Sequence, residues 1–355
     1  MLSPANIRAN VLVKLGELTG KTHALPLVLF SPTARCNSRC VSCDWWRSDG
    51  AGDLSLAEIE TLAGDLERAG TGVVVLTGGE PLVRPDVMAV ADLFRARGIA
   101  LQLLTSGLAL GRYADDVAAR FQTVTVSLDG HTAELYRAIR GVDGLGAVAD
   151  GVRKLRARAP HVGITARATI HRHNFRFLPD LVAKSRAMGL EQISFLAANV
   201  DASSEAFNRR AGLPQASDGD GSPARLLLNG EEVEEFAAIV ETAIRLYPEA
   251  LGERRIAQDP AGLRRLVAYY RAHLGQGTFV APPCNAPWAS LFIEADGAVR
   301  PCFFHPAVGN LRERSLADLL SDAMPAFRTG LDVATNPVCT RCVCSLNVGL
   351  RSKLW

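Results

Sequence analysis

The strongest constraint on how this chain can fold is an alternation, sustained from residue 27 to 198, between short apolar runs and longer amphipathic stretches. The runs "LPLVLFS", "GVVVLTGGE", "IALQLLTSG", "TVTVSLDG", "VGITARATI" and "EQISFLAA" are of strand length and each leads toward Gly, Ser, Thr or a charged residue, which predicts six buried strands. The stretches between them have helical periodicity. "SLAEIETLAGDLERAG" puts Leu56, Ile59, Leu62, Ala63 and Leu66 on one face, opens with Ser55 and Glu58 spaced as a capping box, and stops at Gly70. Strand, crossover helix, strand implies a parallel sheet, and about 29 residues per unit is close to the spacing of a (β/α)8 barrel. With six units visible, the expected fold is α/β, an open partial (β/α)6 TIM-like barrel.

The remainder divides into a lead-in over 1–26, a polar loop and helical insertion over 199–280, and a cysteine-rich α+β extension over 281–355. In the insertion, "SSEAFNRRAGLPQASDGDGSPAR" reads as a flexible loop, and "NGEEVEEFAAIVETAIRLYP" as a helix with Val233, Phe236, Ile239, Val240 and Ala243 on one face. "SLFIEADGAVRPC" in the extension reads as a hairpin turning at Asp296-Gly297.

Composition narrows the partners. Lys plus Arg number 39 against 37 Asp plus Glu, with no long block of one sign, which argues against a nucleic-acid or membrane-surface partner. No segment reaches about 18 uninterrupted apolar residues and the N-terminus lacks a cleavable signal pattern, so the expected compartment is cytoplasmic. Reducing conditions disfavour structural disulfides, which makes the eight cysteines candidate metal ligands. They fall in two groups: Cys36, Cys40 and Cys43, then Cys284, Cys302, Cys339, Cys342 and Cys344.

The first group, C-x3-C-x2-C, sits just after the first strand and supplies three sulfurs where a structural zinc site wants four. In spacing and position it resembles the signature of the radical S-adenosylmethionine (SAM) enzymes. That resemblance implies three thiolates on three irons of a [4Fe-4S] cluster, with the amine and carboxylate of SAM on the fourth iron. It further implies that one electron, from a donor such as flavodoxin or ferredoxin, cleaves SAM to methionine and a 5′-deoxyadenosyl radical that takes a hydrogen atom from substrate.

Further residues follow from the same likeness. "TGGEP" ends the second strand, and Gly78, Gly79, Glu80 and Pro81 correspond to the edge that holds the SAM amino group. Ser127 and Asp129 of "SLDG" stand where such enzymes contact the ribose, and Arg167 in the fifth strand is in position for the carboxylate. On residue type alone, Asp129 is equally a helix cap and Arg167 an ion-pair partner. The aromatic residue often found before the third cysteine is here Ser42, which leaves adenine stacking to Trp45 or leaves both Trp45 and Trp46 to core packing.

Cys284, seventeen residues and Cys302, with "VGNLRERSLADLL" beyond, resembles the opening of the SPASM and twitch extensions found after radical SAM barrels. The ending "CTRCVC" is too short for two auxiliary clusters. It implies one auxiliary [4Fe-4S] cluster held by Cys284, Cys302, Cys339 and Cys342, with Cys344 spare or in place of Cys342. Read without the resemblance, the same spacing permits a four-cysteine zinc site, and His305 is a bystander or pocket residue.

The expected function is a radical SAM enzyme that oxidises or otherwise modifies a small metabolite or natural-product intermediate. A second reading, a peptide-modifying maturase of the SPASM type, is disfavoured by the short stretch before the first strand. A third, from another class, is a non-catalytic zinc or iron–sulfur binding protein. Catalytic acid–base residues are not assignable from sequence; Tyr136, Arg140 and His171 are guesses at the general base.

Overall fold

The computed structural model describes residues 3–200 and 223–354, so most of the flexible loop expected after residue 199 lies outside the described residues. Six strands form where the apolar runs predict them: β1 Leu27–Phe30, β2 Val73–Leu76, β3 Ala100–Thr105, β4 Thr123–Ser127, β5 Gly163–Ile170 and β6 Ile193–Ala197. They pair in sequence order and in parallel, as crossover helices on one side require. The helices are α1 Pro4–Thr19, α2 Leu56–Arg68, α3 Val87–Arg95, α4 Ala114–Arg120, α5 Ala133–Arg140, α6 Leu145–Arg158 and α7 Leu178–Ala187. On α2, Ser55 accepts from the Glu58 N–H while the Glu58 carboxylate accepts from the Ser55 N–H, and Gly70 beyond it is left-handed at φ 72°, as the sequence predicts.

Strand side chains alternate with period two. One face carries Leu101, Leu103, Val124, Val126, Ile164, Ala166, Phe195 and Ala197, all buried in a core shared with the helices. The opposite, concave face carries the half-buried Gln102, Thr125, Ser127, Thr165, Arg167 and Ser194. The same face also carries the half-buried Leu27, Leu29, Leu104 and Leu196, so the interior of the open barrel is mixed, with the Thr125 and Thr165 hydroxyls 2.9 Å apart across β4 and β5.

The insertion completes the barrel wall. Helices α8 Gly230–Leu246, α9 Pro248–Gly252 and α10 Pro260–His273 share the main core through Val233, Phe236, Val240, Leu263 and Tyr270. The Tyr270 hydroxyl donates to the Ile170 carbonyl at 2.5 Å and accepts from the Ala198 N–H at 3.2 Å, which ties α10 to the ends of β5 and β6.

The hairpin expected at Asp296-Gly297 forms from β7 Ser290–Ile293 and β8 Ala298–Arg300, preceded by α11 Ala286–Ala289, with Gly297 at φ 88°. Its first strand does more than the sequence suggests: β7 pairs in parallel with β1, so hairpin and β9 Gly309–Asn310 prolong the barrel sheet to nine strands among the described residues. The buried Arg328 guanidinium then fastens this region to the N-terminus, donating to the Pro287 carbonyl and the Thr22 hydroxyl, each at 2.8 Å.

Candidate functional site

The three-cysteine loop runs from the C-terminal end of β1, the end of parallel strands where barrel sites are built. Its first residues are fixed by the neighbouring turn. The Gly79 N–H donates to the Thr33 carbonyl at 3.2 Å and the Glu80 N–H to the Arg35 carbonyl at 2.8 Å. The two glycines make that contact possible: a Cβ on Gly78 would lie 1.8 Å from the Ser31 hydroxyl, and one on Gly79 would lie 2.1 Å from the Arg35 carbonyl oxygen. The far side of the loop rests on the end of α5, where the Arg39 and Val41 N–H groups reach the Arg140 and Ile139 carbonyls at 2.8 and 3.0 Å. Cys36, Cys40 and Cys43 are half-buried and outside any disulfide. Burial pushes Cys36 up to about 11, reinforced by Cys40 and Glu80, and burial also raises Cys40 against the opposing charge of Arg140.

Glu80 is almost fully buried and its carboxylate is already engaged, accepting from the Leu82 N–H at 3.1 Å, the Thr105 hydroxyl at 2.7 Å and the Ser106 N–H at 2.5 Å. It locks the ends of β2 and β3 together, and Pro81 opens a short 3-10 turn behind it. The Asn37 side chain reaches the same corner, accepting from the Ser106 hydroxyl at 3.1 Å.

Asp129 does not cap α5; the Thr132 hydroxyl does. The Asp129 carboxylate instead accepts from the Thr169 N–H at 2.7 Å and pairs with Arg140 at 2.9 Å, both partners largely buried. Ser127 lies directly opposite Arg167 in the β4–β5 register. Arg167 makes no carboxylate pair among the described residues; its Nε donates to the Ser194 hydroxyl at 3.2 Å, and its charge is near enough to Cys344 to favour that thiolate. Nearby, burial pushes Tyr136 of α5 up to about 12, and burial together with His173 takes His171, just beyond β5, down to about 3. The His171 Nδ1 accepts from the His173 N–H at 3.2 Å, and its Nε2 is buried without a partner.

Trp45 is core, as packing alone predicts, whereas Trp46 is half-buried under the Arg47 guanidinium, 4.8 Å from the ring centre. Trp46, Arg47, Cys36, Asn37, Arg39, Gly141 and Val142 line a cavity of about 690 Å³ beside the loop.

The second group gathers above the barrel. Cys302 follows β8, Cys284 precedes α11, and Cys339 sits in the short helix Pro337–Thr340. Cys284 is an electrostatic neighbour of all four others, and Cys302 is a neighbour of Cys339 and Cys342. Burial pushes Cys302 up to about 12 and Cys339 up to about 11, and it raises Cys342 and Cys344 as well. Arg265 holds the last turn, donating to the Cys342 carbonyl at 3.1 Å.

Both groups fit the clusters their spacing implies. Each gathers half-buried cysteines outside any disulfide, and iron–sulfur clusters take thiolate ligands; where burial raises the thiol, as at Cys36, Cys40, Cys302, Cys339, Cys342 and Cys344, a metal's positive charge favours the thiolate. Among the described residues no three His, Cys, Asp or Glu side chains converge on one metal-ion position. Two residues that the sequence reading named have partners that it did not foresee. Arg140 is the buried counter-charge of Asp129 and supports the cysteine loop, and the His305 Nε2 lies 3.3 Å from the Cys339 sulfur. Arg140 carries a weak signal, as a basic residue closing a helix that faces the loop, but its pairing is a long-range contact.

A model of the radical SAM superfamily matches residues 30–212, and one of an iron–sulfur cluster-binding domain, SPASM, matches 284–343. The chain is 38% identical over 127 residues to a probable GTP 3′,8-cyclase of Thermococcus kodakarensis, covering 35% of this chain and 41% of that protein. It is 37% identical over 162 residues to pre-heme d1 synthase of Dinoroseobacter shibae, covering 44% and 39%. It is 34% identical over 167 residues to mycofactocin maturase MftC of Mycobacterium ulcerans, covering 44% and 43%. The matches thus span about two fifths of the length of these relatives. Among solved structures, Streptococcus suis SuiB bound to S-adenosylmethionine aligns with a TM-score of 0.63 at 13% identity, over 96% of this chain and 77% of that one. Native anSMEcpe with bound AdoMet aligns at 0.61 and 16% identity, over 91% and 93%. These two likenesses are of fold.

Proposed function

Because this chain belongs to the radical SAM superfamily and ends in a SPASM iron–sulfur domain, we propose that it abstracts a hydrogen atom from a small metabolite or natural-product intermediate inside the barrel and oxidises or otherwise modifies it. The cluster and SAM, when bound, supply a 5′-deoxyadenosyl radical, at the expense of one electron from a donor such as a flavodoxin or ferredoxin. The observation that carries the reading is the placement of a three-thiol loop, backed by the Gly78–Glu80 turn, at the C-terminal ends of six parallel strands.

In this reading Cys36, Cys40 and Cys43 each hold one iron. The glycine turn and Pro81 present backbone to the SAM methionyl group, while the Glu80 side chain keeps that edge rigid through Thr105 and Ser106. Ser127 offers a hydroxyl to the ribose, and Asp129, tied to Arg140 and the Thr169 N–H, orders the strand ends around it. Arg167, its Nε on the Ser194 hydroxyl and its charge near Cys344, offers its guanidinium to the SAM carboxylate. Cys284, Cys302, Cys339 and Cys342 hold the auxiliary cluster; Cys342, which has Cys302 and Cys284 as neighbours, is preferred over Cys344, which faces Arg167.

The GTP cyclase and pre-heme d1 synthase likenesses favour a small substrate. The mycofactocin maturase likeness favours a peptide and keeps the maturase reading as the second one. Deuterium transfer separates them. The reduced enzyme with SAM is incubated with extract of cells grown in deuterated medium, split by size into metabolite and peptide fractions, and the 5′-deoxyadenosine is weighed by mass spectrometry. Deuterium acquired from the metabolite fraction supports the small-molecule reading; deuterium acquired only from the peptide fraction overturns it.

A further inference from the structure

The proposed ligands of the auxiliary cluster leave one polar contact unused. His305 follows Cys302 by three residues, is almost fully buried, and places its Nε2 3.3 Å from the Cys339 sulfur. The ring is not free to turn away. Phe327 packs edge-on against it with ring centres 4.9 Å apart. Its backbone carbonyl accepts from Arg300 Nη1 at 2.9 Å, and Arg300 is itself held by a buried pair with Glu294 at 2.8 Å, across the β7–β8 hairpin. A rigid hairpin therefore aims one imidazole nitrogen at one sulfur.

We propose that His305 is a positioning residue that donates its Nε2 hydrogen to the Cys339 thiolate and thereby sets the reduction potential of the auxiliary cluster. The role rests on the reading of Cys339 as a cluster ligand. A thiolate has no hydrogen to give, so the hydrogen of this contact belongs to Nε2, which leaves Nδ1 bare. Reduction adds negative charge that is shared with the ligand sulfurs. An N–H directed at a sulfur stabilises the reduced state more than the oxidised one, in a buried site where little water screens the effect. The potential is thus higher than the same cysteines would give without the histidine. For an enzyme that removes one hydrogen atom by radical chemistry, this eases transfer of the second electron from the substrate radical into the cluster. That electron must later leave to an external acceptor of the ferredoxin or flavodoxin class.

The test isolates the auxiliary cluster in a full-length Cys36→Ala/Cys40→Ala/Cys43→Ala protein and titrates it potentiometrically by EPR, with His305 intact, as His305→Phe and as His305→Gln. Phenylalanine keeps a ring against Phe327 and removes the donor; glutamine restores an N–H. The expected result is a lower potential in His305→Phe, recovered in part by His305→Gln. In the His305 protein labelled with 15N-histidine, a weak nitrogen coupling and a deuterium-exchangeable proton on the reduced cluster are also expected, and these do not depend on any His305 variant folding. Equal potentials in all three proteins overturn the role. A three-iron signal in His305→Phe, or a strong 15N coupling, also overturns it, by making His305 a direct ligand. If the His305-intact protein itself gives no four-iron signal, the auxiliary-cluster reading falls, and this role falls with it.

Discussion

Gly79→Ala is the most informative substitution at the barrel site because its cost can be worked from geometry. The added methyl would lie 2.1 Å from the Arg35 carbonyl oxygen and 2.7 Å from both the Ala34 carbonyl oxygen and the Arg35 carbonyl carbon. All three are backbone atoms, so no side chain can swing aside; the cysteine loop itself must move off the turn. That movement breaks the Gly79–Thr33 and Glu80–Arg35 hydrogen bonds, at about 1 kcal/mol each. Overpacking adds about 1–3 kcal/mol, and the sum is about 3–5 kcal/mol. The displaced loop carries Cys36, so the barrel cluster should fail to assemble while the auxiliary one persists. Urea denaturation of the apo-protein should show a lower midpoint, and anaerobic reconstitution should give about four irons per chain in place of about eight. Gly146→Ala is the control: it lies in α6 with nothing within 4 Å of a new Cβ, and should gain about 0.5–1 kcal/mol. A Gly79→Ala protein with an unchanged midpoint and full iron would refute the reasoning.

Three other outcomes follow from the same structure. Arg140→Met leaves the Asp129 carboxylate buried without its counter-charge, at a cost of about 3–5 kcal/mol; denaturation of the single variant and of Arg140→Met/Asp129→Leu, which should recover most of the loss, checks it. Hydrogen bonds from Arg312, then from Ser55, hold the Glu58 carboxyl down to about 2. Its folded value lies below its unfolded one, so its contribution is full above about pH 4.5 and disappears as pH falls toward 2. Exposure limits this to under about 1 kcal/mol, and Arg312→Ala should remove that part of the acid limb in a pH series of urea midpoints. Cys342→Ala should abolish the auxiliary absorbance and iron, while Cys344→Ala should keep both, as read by iron assay and visible spectra.

What the sequence made legible was local. The capping box at Ser55 and Glu58, the Asp296-Gly297 turn and the two cysteine groups all depend on residues within a few positions of one another, and each appears where its pattern puts it. What it hid depends on distant partners. The β7 run is buried along its whole length rather than on alternate residues, a hint that both faces are covered, but nothing local says that its neighbour is β1, some 260 residues earlier. Helix α1 departs from the usual pattern, although Ala9 and Val13 on it are buried. It buries Asn6 and Asn10 and exposes Ile7, Val11, Leu15 and Leu18, because the Asn10 amide donates to the Leu350 and Ser352 carbonyls and the Asn6 side chain accepts from the Leu354 N–H.

Site residues followed the same division. Glu80 and Asp129 follow β2 and β4 and Arg167 lies within β5, as the motif positions put them, yet their side-chain partners were invisible. Asp129 looked like a helix cap or a ribose contact and is bound to Arg140 and the Thr169 N–H. His305 looked like a bystander, and only the folded hairpin brings it to Cys339.

The central claim is that the three-thiol loop supports reductive cleavage of SAM. The most direct measurement is 5′-deoxyadenosine formed by the anaerobically reconstituted protein with dithionite and SAM, set against the Cys43→Ala variant and against iron and zinc per chain. The account predicts about eight irons and time-dependent 5′-deoxyadenosine that Cys43→Ala abolishes. Zinc in place of iron, with no 5′-deoxyadenosine from either protein, would contradict it and leave a metal-binding protein without this chemistry.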